Sequence, residues 1–281
     1  MTEKAGPTLR AQWLGQQLQE LRKATGLKLK DAGDYLQRDT STVGRFESGE
    51  YPIRRPDLLA LLDFYGLADK RKREGLLLLH QDAWQKGWWD GYADDVDEKF
   101  VDFVWLESRA TEILAFDNTM LTGLLQTEDY ARAAMVAANP DADEEQVRRW
   151  LQLRMTRQEV LDEPELTVRV VLDEGVLYRE VGGPAVLREQ LEHLILLAKR
   201  PRIDLRVLPF EAGAHRSPAG AFRLLRMSDP YPEVGYVETL AGALYIEPPK
   251  TAGFVAAYDG LLAKSLGPRK SIEAIEALLK E

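Results

Sequence analysis

A cluster of hydroxyl side chains stands at the start of a short helical stretch, directly after an acidic residue. Thr40, Ser41 and Thr42 follow Asp39, and Arg45 comes one helical turn later. Because Asp is favourable at a helix N-cap, this pattern predicts a helix whose first turn presents hydroxyl groups outward. Hydroxyl and guanidinium groups at that end of a helix can hydrogen-bond to the base edges or phosphates of a nucleic acid.

Four cations flank that helix. Lys28 and Lys30 open the preceding helical stretch, and Arg54 and Arg55 follow the helix. A helix N-terminus attracts phosphate, and nearby arginines could hold the flanking phosphates. The alternative is a small helical bundle whose charged side chains are solvated, and periodicity alone does not decide between the two.

Two groups later in the chain are candidates for binding a ligand or a partner. The first is aromatic and could line a pocket or a partner groove, or else fix a linker to the domain that follows. The second is a polar stripe at helical spacing, which is either a solvated face or a site for a partner or an anion. The members are Trp88, Trp89 and Tyr92 in the first group and Arg154, Arg157 and Gln158 in the second.

The motifs of enzymes and metal centres are absent from the sequence. The chain has no cysteine, and its three histidines show no metal-ligand spacing. It has no phosphate-binding glycine loop, dinucleotide fingerprint or nucleophile elbow. An acidic cluster of Asp94, Asp95, Asp97 and Glu98 lacks the spacing and the glycine of a calcium loop, so a solvated loop is the better interpretation. We therefore expect no enzymatic activity, no metal and no cofactor.

Charge is unevenly distributed along the chain. The 281 residues carry 37 Lys/Arg and 46 Asp/Glu, and the net charge of −9 by itself argues against a nucleic-acid binder. Residues 1–75, however, hold 14 basic and 11 acidic residues, so their net charge is +3 and that of the remainder is −12. The negative net charge therefore comes from the second part of the chain. It does not argue against nucleic-acid binding by the first part.

Length and pattern predict two regions of different architecture. Up to residue 66, apolar residues recur at helical spacing in four short helices, and Gly33 falls where the second must approach the third closely, as in a helix-turn-helix. From about residue 100, helices alternate with six strands, of which the last three are expected to form an antiparallel meander. We therefore predict an α+β protein, with an N-terminal all-α helix-turn-helix domain followed by a mixed α+β domain with a mainly antiparallel sheet.

The predicted domains are 1–68 for the helix-turn-helix, 69–98 for a helical linker and Trp-rich loop, and 99–281 for an α+β sensor, partner-binding or dimerisation domain. The apolar runs are short and the N-terminus is polar, so neither a membrane span nor a signal peptide is expected.

The sequence around the turn resembles a known DNA-binding family. WLGQQLQELRKATGLKLKDAGDYLQRDTSTVGRFESGE is similar to the helix-turn-helix of the XRE, or Cro/C1 repressor-like, family, and the resemblance covers about residues 9–66. Arg45 and Glu47 match an Arg and a Glu that tie the bundle together in that family, so the role of Arg45 stays open between structure and DNA contact. The departures from the family pattern are Lys28 and Leu29 in place of Thr-Gln, Gln37 where a turn glycine is common, and Gly44 in place of Ser.

The remaining chain has a resemblance of its own. GWWDGY (87–92), GLLQTEDYARA (123–133) and RVLPFEAGAH (206–215) occur in the order seen in a large actinobacterial family of XRE-type regulators. The C-terminal domain of that family has no known function and is often labelled antitoxin-like. The resemblance implies a transcription regulator with a small companion protein as its partner, and it assigns no ligand-binding or catalytic residue.

The sequence thus predicts a regulator that binds double-stranded DNA sequence-specifically, in the cytoplasm and in association with the nucleoid. A single module with a charge of +3 would bind weakly, so a homodimer that reads two half-sites is expected. The C-terminal domain is expected to bind a small partner protein or a ligand. Two alternatives remain open, namely an antitoxin-like module that acts mainly through protein contacts and an enzyme in the C-terminal domain.

Overall fold

The computed structural model describes residues 6–85, 87–92 and 95–280, and these fall into two units. The first unit runs to Asp90 and also includes Asp229–Tyr231, whereas the second contains the rest of the chain. The three-part division predicted from the sequence, with borders after residues 68 and 98, stays a prediction. Within the described ranges, every helix is too short or too polar to cross a lipid bilayer.

The first unit has five α-helices among its described residues. They are α1 (Leu9–Ala24), α2 (Leu29–Leu36), α3 (Thr40–Glu47), α4 (Arg55–Phe64) and α5 (Lys70–Trp84). Thr8 begins α1, because its hydroxyl accepts a hydrogen bond from the backbone N–H of Ala11 at 3.4 Å. The apolar residues at helical spacing, among them Leu18, Val43 and Leu58, are fully buried between the helices. The predicted helical character of this part of the chain is therefore confirmed.

The turn between α2 and α3 depends on the backbone at Gly33 and Gln37. A Cβ atom on Gly33 would lie 2.8 Å from the carbonyl oxygen of Arg38, so only glycine lets the two helices approach in this way. The carbonyl of Gly33 in turn accepts a hydrogen bond of 2.9 Å from the backbone N–H of Arg38. Gln37 ends α2 in the left-handed conformation, with φ 55° and ψ 43°. The predicted close approach at Gly33 is confirmed, and Gln37 adopts a left-handed backbone conformation that glycine adopts at the lowest cost.

The second unit combines helices with one sheet. Its strands are β1 (Ala110–Asp117), β2 (Thr167–Asp173), β3 (Ile203–Leu208), β4 (Phe222–Met227), β5 (Val234–Thr239) and β6 (Gly242–Ile246). Its helices are α6 (Glu98–Arg109), α7 (Glu128–Ala138), α8 (Glu144–Gln158), α9 (Pro184–Leu197), α10 (Ala252–Lys264) and α11 (Pro268–Leu278). The six strands lie in the order β3-β2-β1-β4-β5-β6.

The sheet is mixed, so the prediction of a mainly antiparallel sheet is wrong. β1 pairs with β2 in parallel, and β2 with β3 in parallel, whereas β1–β4, β4–β5 and β5–β6 are antiparallel. The parallel pairs result from the helical connections between the strands. Helices α7 and α8 link β1 to β2, and α9 links β2 to β3. Long helical crossovers return the chain to the same end of the sheet and therefore produce parallel pairs. The meander predicted for the last three strands is confirmed.

The centre of the sheet is strand β1. Phe116 is fully buried and has Val171 of β2 on one side and Phe222 of β4 on the other. Tyr258 and Leu261 of α10 pack against this row and belong to the same hydrophobic cluster. Because β1 is buried along nearly its whole length, the chain that follows its last residue is held firmly at one edge of the core.

Candidate functional site

The polar face of α3 lies at the surface of the first unit. Thr40, Ser41 and Arg45 are exposed and Thr42 is half-buried, whereas the opposite face of the helix is buried in the core. This orientation follows from the sequence, because the apolar residues of α3 occupy one side of a two-turn helix. The hydroxyl groups point outward as predicted, and their contact with DNA stays a prediction.

Acidic residues stand at both helix starts where phosphate contact is expected. Asp39 occupies the N-cap position of α3, but its carboxylate accepts no hydrogen bond from the described helix, so the predicted side-chain cap is wrong. At the start of α2, the Asp31 carboxylate accepts a hydrogen bond of 2.7 Å from the backbone N–H of Lys28. A carboxylate already at this N-terminus competes with a phosphate there. Lys28 and Lys30 are exposed, so their side chains remain accessible to a nucleic-acid backbone.

The guanidinium of Arg45 is held by an aromatic ring. Its guanidinium lies over the ring of Tyr51, with 5.4 Å from the guanidinium carbon to the ring centroid. The backbone N–H of Tyr51 donates a hydrogen bond of 3.1 Å to the carbonyl oxygen of Arg45. Within the described residues no carboxylate lies within 4.0 Å of this guanidinium, which is exposed. The side chain is thus oriented by Tyr51 and accessible for contact with DNA.

Helices α1 and α3 are tied together by Arg22, which was not predicted from the sequence. Its Nε and Nη2 donate to the two carboxylate oxygens of Glu47 at 2.6 and 2.8 Å, and both side chains are buried. The hydrogen bond to Glu47 raises the pKa of Arg22. The sequence does indicate such a partner. Arg22 follows Leu14 and Leu18 at a spacing of four residues, so it lies on the buried face of α1, where a charged side chain requires a partner.

A polar groove brings three of the predicted DNA-contact residues together. Thr42, Arg45 and Arg54 line a depression of about 810 Å³ beside the α2–α3 turn. Arg38 also lines this groove and pairs with Asp57 at 3.2 Å. The remaining predicted residues, which are Lys28, Lys30, Thr40, Ser41 and Arg55, do not line the groove but are exposed. The groove is therefore lined by three arginines and three aspartates, Asp34, Asp39 and Asp57, and it lies next to the exposed end of α3.

The three aromatic candidates are divided between the two units. Trp89 is buried and Trp88 is exposed, and their rings meet edge to face with centroids 5.8 Å apart. Both belong to the first unit, whereas Tyr92 belongs to the second. The ring of Tyr92 lies 5.5 Å from the guanidinium carbon of Arg149 on α8. Tyr92 thus attaches the chain before α6 to α8.

The two described aspartates of the acidic cluster, Asp95 and Asp97, make structural contacts. Asp95 accepts hydrogen bonds of 2.7 and 2.5 Å from Arg149, and the bond to Arg149 lowers the pKa of Asp95. Asp97 caps α6 by accepting from the backbone N–H of Lys99 at 2.8 Å. Asp94 lies outside the described residues. Among the residues that are described, no three His, Asp or Glu side chains are grouped so that they could hold a metal ion.

The polar stripe on α8 faces the interior, so its interpretation as a solvated face is wrong. Arg157 is 6% exposed and donates to both carboxylate oxygens of Glu107 at 2.8 and 2.9 Å. The Nε2 of Gln158 donates to the carbonyl oxygens of Gly123 and Gln126, each at 2.8 Å. The stripe thus binds α8 to α6 and to the turn that follows β1.

Arg154 differs from its two neighbours in the stripe. Its Nη1 donates to the side-chain oxygen of Gln126, which is a neutral partner. Burial, and then the positive charge of Arg157, lower the pKa of Arg154 to about 10, so the guanidinium is still charged at neutral pH. Among the described residues no carboxylate oxygen lies within 4.0 Å of it.

These arginines border a cavity at the end of β1. The cavity has a volume of about 560 Å³ and is lined by Arg154, Arg157 and Arg223 together with Phe100, Phe103 and Tyr236. Arg223 binds the fully buried Asp117 at 2.5 Å. Burial raises the pKa of Asp117, and the charge of Arg223 opposes that rise. Ala219 and Gly220, which precede β4, also line the cavity.

Two family models match the chain. Residues 13–75 match a model described as a helix-turn-helix domain, and residues 100–277 match a model described as a domain of unknown function, DUF5753. No curated protein and no solved structure gave a match. The first match indicates a DNA-binding regulator, and the second leaves the role of the larger part of the chain open.

Proposed function

Because the chain belongs to the DUF5753 family and carries a helix-turn-helix domain before it, we propose that it is a sequence-specific, DNA-binding transcriptional regulator of the XRE type. In this proposal α3 enters the major groove, where Ser41 and Thr42 contact base edges. The proposed site of action is the bacterial nucleoid, and therefore the cytoplasm.

The observation that carries the proposal is the groove beside the α2–α3 turn. Thr42 from the proposed recognition helix shares it with the exposed guanidinium groups of Arg45 and Arg54. A hydroxyl at the end of a recognition helix, beside cations without a carboxylate partner, is the combination that major-groove binding uses for base and phosphate contacts. The net charge of +3 over residues 1–75 is compatible with that role.

Binding of the purified chain to fragments of its own upstream DNA tests the proposal. We expect binding that weakens steeply with increasing salt, because Lys and Arg displace counterions from phosphates. A triple variant, Thr42→Ala with Arg45→Ala and Arg54→Ala, should abolish this binding. The matched control is Lys23→Ala, which removes an exposed cation of the same unit that does not line the groove. Absence of binding by the unmodified chain, in an assay where a known regulator binds, would refute the proposal.

We further propose that the chain acts as a homodimer on two half-sites about 34 Å apart. A module of modest charge gains affinity when two copies bind one operator, because the second contact becomes intramolecular. Native mass spectrometry of the protein with and without its operator tests this point. A monomer on a single half-site would contradict it.

The C-terminal domain is proposed to bind a small partner protein or a ligand and to have no catalytic role. A companion protein encoded beside this chain is the proposed protein partner, by resemblance to the related regulators. Co-expression of the two followed by co-purification tests it. Binding of a partner without any DNA activity would favour instead an antitoxin-like module, and turnover of a bound metabolite would favour an enzyme.

A further inference from the structure

The cavity of the second unit lies beside the carboxyl end of the central strand β1. β1 connects through α7 and α8 to β2 on one side, and the chain later returns to β4 on its other side. The strand order therefore reverses direction at β1, and Asn118, Thr122 and Gly123 line the cavity just beyond its carboxyl end. Because β4 is antiparallel to β1, the segment that enters β4 meets the segment that leaves β1 at this end of the sheet, and both line the cavity.

The charges around this cavity leave one cation uncompensated. Three arginines line it, and two of them are neutralised by buried carboxylates, Arg157 by Glu107 and Arg223 by Asp117. Among the described residues, the side chain of Arg154 has one hydrogen-bond partner, the amide oxygen of Gln126. A half-buried guanidinium whose protein partner is neutral has donors left for an anion.

The opposing acidic group at the cavity does not neutralise Arg154. Glu238 also lines the cavity, and its negative charge raises the pKa of Arg154 slightly against the larger effect of burial. Glu238 is exposed and lies more than 4.0 Å away, so water screens its charge. The balance at Arg154 therefore stays positive.

The backbone around Arg154 is shaped to keep its side chain in place. A Cβ atom on Gly123 would lie 2.8 Å from Cδ of Arg154 and 2.9 Å from its Nε. Any larger residue at this position would push the guanidinium aside. Gln158 fixes the same turn through its two hydrogen bonds to the backbone. The turn after β1 is thus built around the arginine, which is the arrangement of a pre-organised binding group.

One wall of the cavity is aromatic, and the guanidinium carbon of Arg157 lies 4.9 and 5.3 Å from the ring centroids of Phe100 and Phe103. Phe103 and Tyr236 are stacked with ring centroids 4.1 Å apart, and Phe100 lies 5.9 Å from Phe103. All three rings line the cavity, and Phe100 is only half-buried. A volume of about 560 Å³ is within the range that holds a small organic molecule.

We propose that this cavity binds a small organic anion, with its carboxylate or phosphate group on Arg154 and its apolar, planar part against the aromatic wall. The proposal rests on the ligand-binding role proposed above for the C-terminal domain, and it names the ligand's chemistry and the residue that recognises it. Arg157 and Arg223 serve as structural cations that add positive potential without giving up their own partners.

The test uses the full chain and three probes of one shape, observed by ligand NMR. Benzoate and phenyl phosphate carry the two candidate anionic groups, and benzamide is the neutral analogue. Fragments of this size bind with dissociation constants of about millimolar order, which this method detects. We expect at least one anion to bind and benzamide to bind roughly tenfold more weakly or not at all, since a charge-assisted hydrogen bond is lost. The preferred anion identifies the group as carboxylate or phosphate.

Two variants connect the binding to Arg154. Arg154→Gln should remove the preference for the anion, and Gly123→Ala should weaken it by displacing the guanidinium. Arg148→Gln is the matched control, because Arg148 lies on the same helix but is exposed and paired with Glu145. Equal binding of anion and amide by the unmodified chain, or unchanged anion binding in both variants, would overturn the inference. DNA binding by the same preparations is measured in parallel. A failure of the anion-binding proposal is thereby distinguished from a failure of the proposal that the chain is a DNA-binding regulator.

Discussion

Glu47, the last residue of α3, accepts two hydrogen bonds from Arg22 in the last turn of α1, at 2.6 and 2.8 Å. The proposed recognition helix is thereby attached at its end to the longest helix of the first unit. Nearby, a Cβ atom on Gly15 would lie 2.5 Å from the carbonyl oxygen of Glu47, so α1 also approaches the end of α3 closely. The position of the exposed α3 surface is therefore set from its buried end.

Removal of one partner of this pair should destabilise the first unit strongly. Glu47→Ala leaves the guanidinium of Arg22 buried without compensation, which costs about 3–5 kcal/mol. Replacing both residues by leucine should restore part of the loss, because no uncompensated charge remains. Urea unfolding followed by circular dichroism measures these differences. The control is Asp57→Ala, which breaks a more exposed pair with Arg38 and should cost no more than about 1 kcal/mol. Equal losses for both pairs would contradict this argument.

Gln37→Gly should stabilise the protein. Gln37 has a φ of 55°, and a left-handed conformation costs a residue with a Cβ atom roughly 1–2 kcal/mol. Glycine removes that cost but loses more backbone entropy on folding, so we expect a net gain of about 0.5–1 kcal/mol. The same substitution at Gln16, which is exposed in the middle of α1, should instead destabilise by about 1 kcal/mol. Thermal unfolding of the two variants therefore gives shifts of opposite sign, and shifts of the same sign would show that backbone conformation is not the cause.

Stability should decrease as the pH falls through the range where histidine titrates. Burial, with a smaller effect of the Arg55 charge, lowers the pKa of His80, and burial also lowers the pKa of His193. The folded protein thus binds fewer protons at these rings than the unfolded chain does. The contribution of these two rings to stability is fully present above the unfolded pKa of about 6.5 and decreases as the pH falls below it, by at most about 1.4 kcal/mol per pH unit for each ring.

Variants of His80 separate its share of this effect. Its Nε2 lies 3.0 Å from the carbonyl oxygen of Ile53, and a glutamine amide can donate the same hydrogen bond without titrating. His80→Gln should therefore flatten the dependence of the melting temperature on pH, and His193→Gln should remove the remainder. A slope that is unchanged in the double variant would assign the effect to other groups.

Much of the fold follows from residue types and spacing in the sequence. The buried faces of α2 and α3, the helix ends and the six strands all derive from local periodicity, which adjacent residues determine. The parallel pairing of β1, β2 and β3 was also accessible, because helices of a dozen residues separate these strands. The antiparallel meander comprises only the last three strands, and the two helical connections determine the pairing of the first three.

The contacts that the sequence did not reveal join residues far apart in the chain. Arg157 binds Glu107, which is 50 residues earlier, and the Arg154 partner Gln126 is 28 residues earlier. Periodicity assigns a charged helix face to solvent unless its partner is known, so the stripe on α8 gave no sign of burial. The cavity depends on how the chain returns from β3 to β4, which no local pattern specifies. Arg22 is the exception, because its position on the apolar row of α1 already required a partner.

The hydroxyl and guanidinium groups around α3 should affect DNA binding in different ways. Ser41→Ala and Thr42→Ala remove groups that we assign to base edges, so each should relax sequence preference and cost about 1–3 kcal/mol on the preferred operator only. Arg54→Ala removes a phosphate contact, so it should weaken all sequences alike and reduce the slope of log K against log salt by about one. Fluorescence anisotropy with the operator and with scrambled DNA, at several salt concentrations, separates the two effects. Identical salt slopes and identical preference losses for the hydroxyl and arginine variants would mean that α3 does not read bases in this orientation.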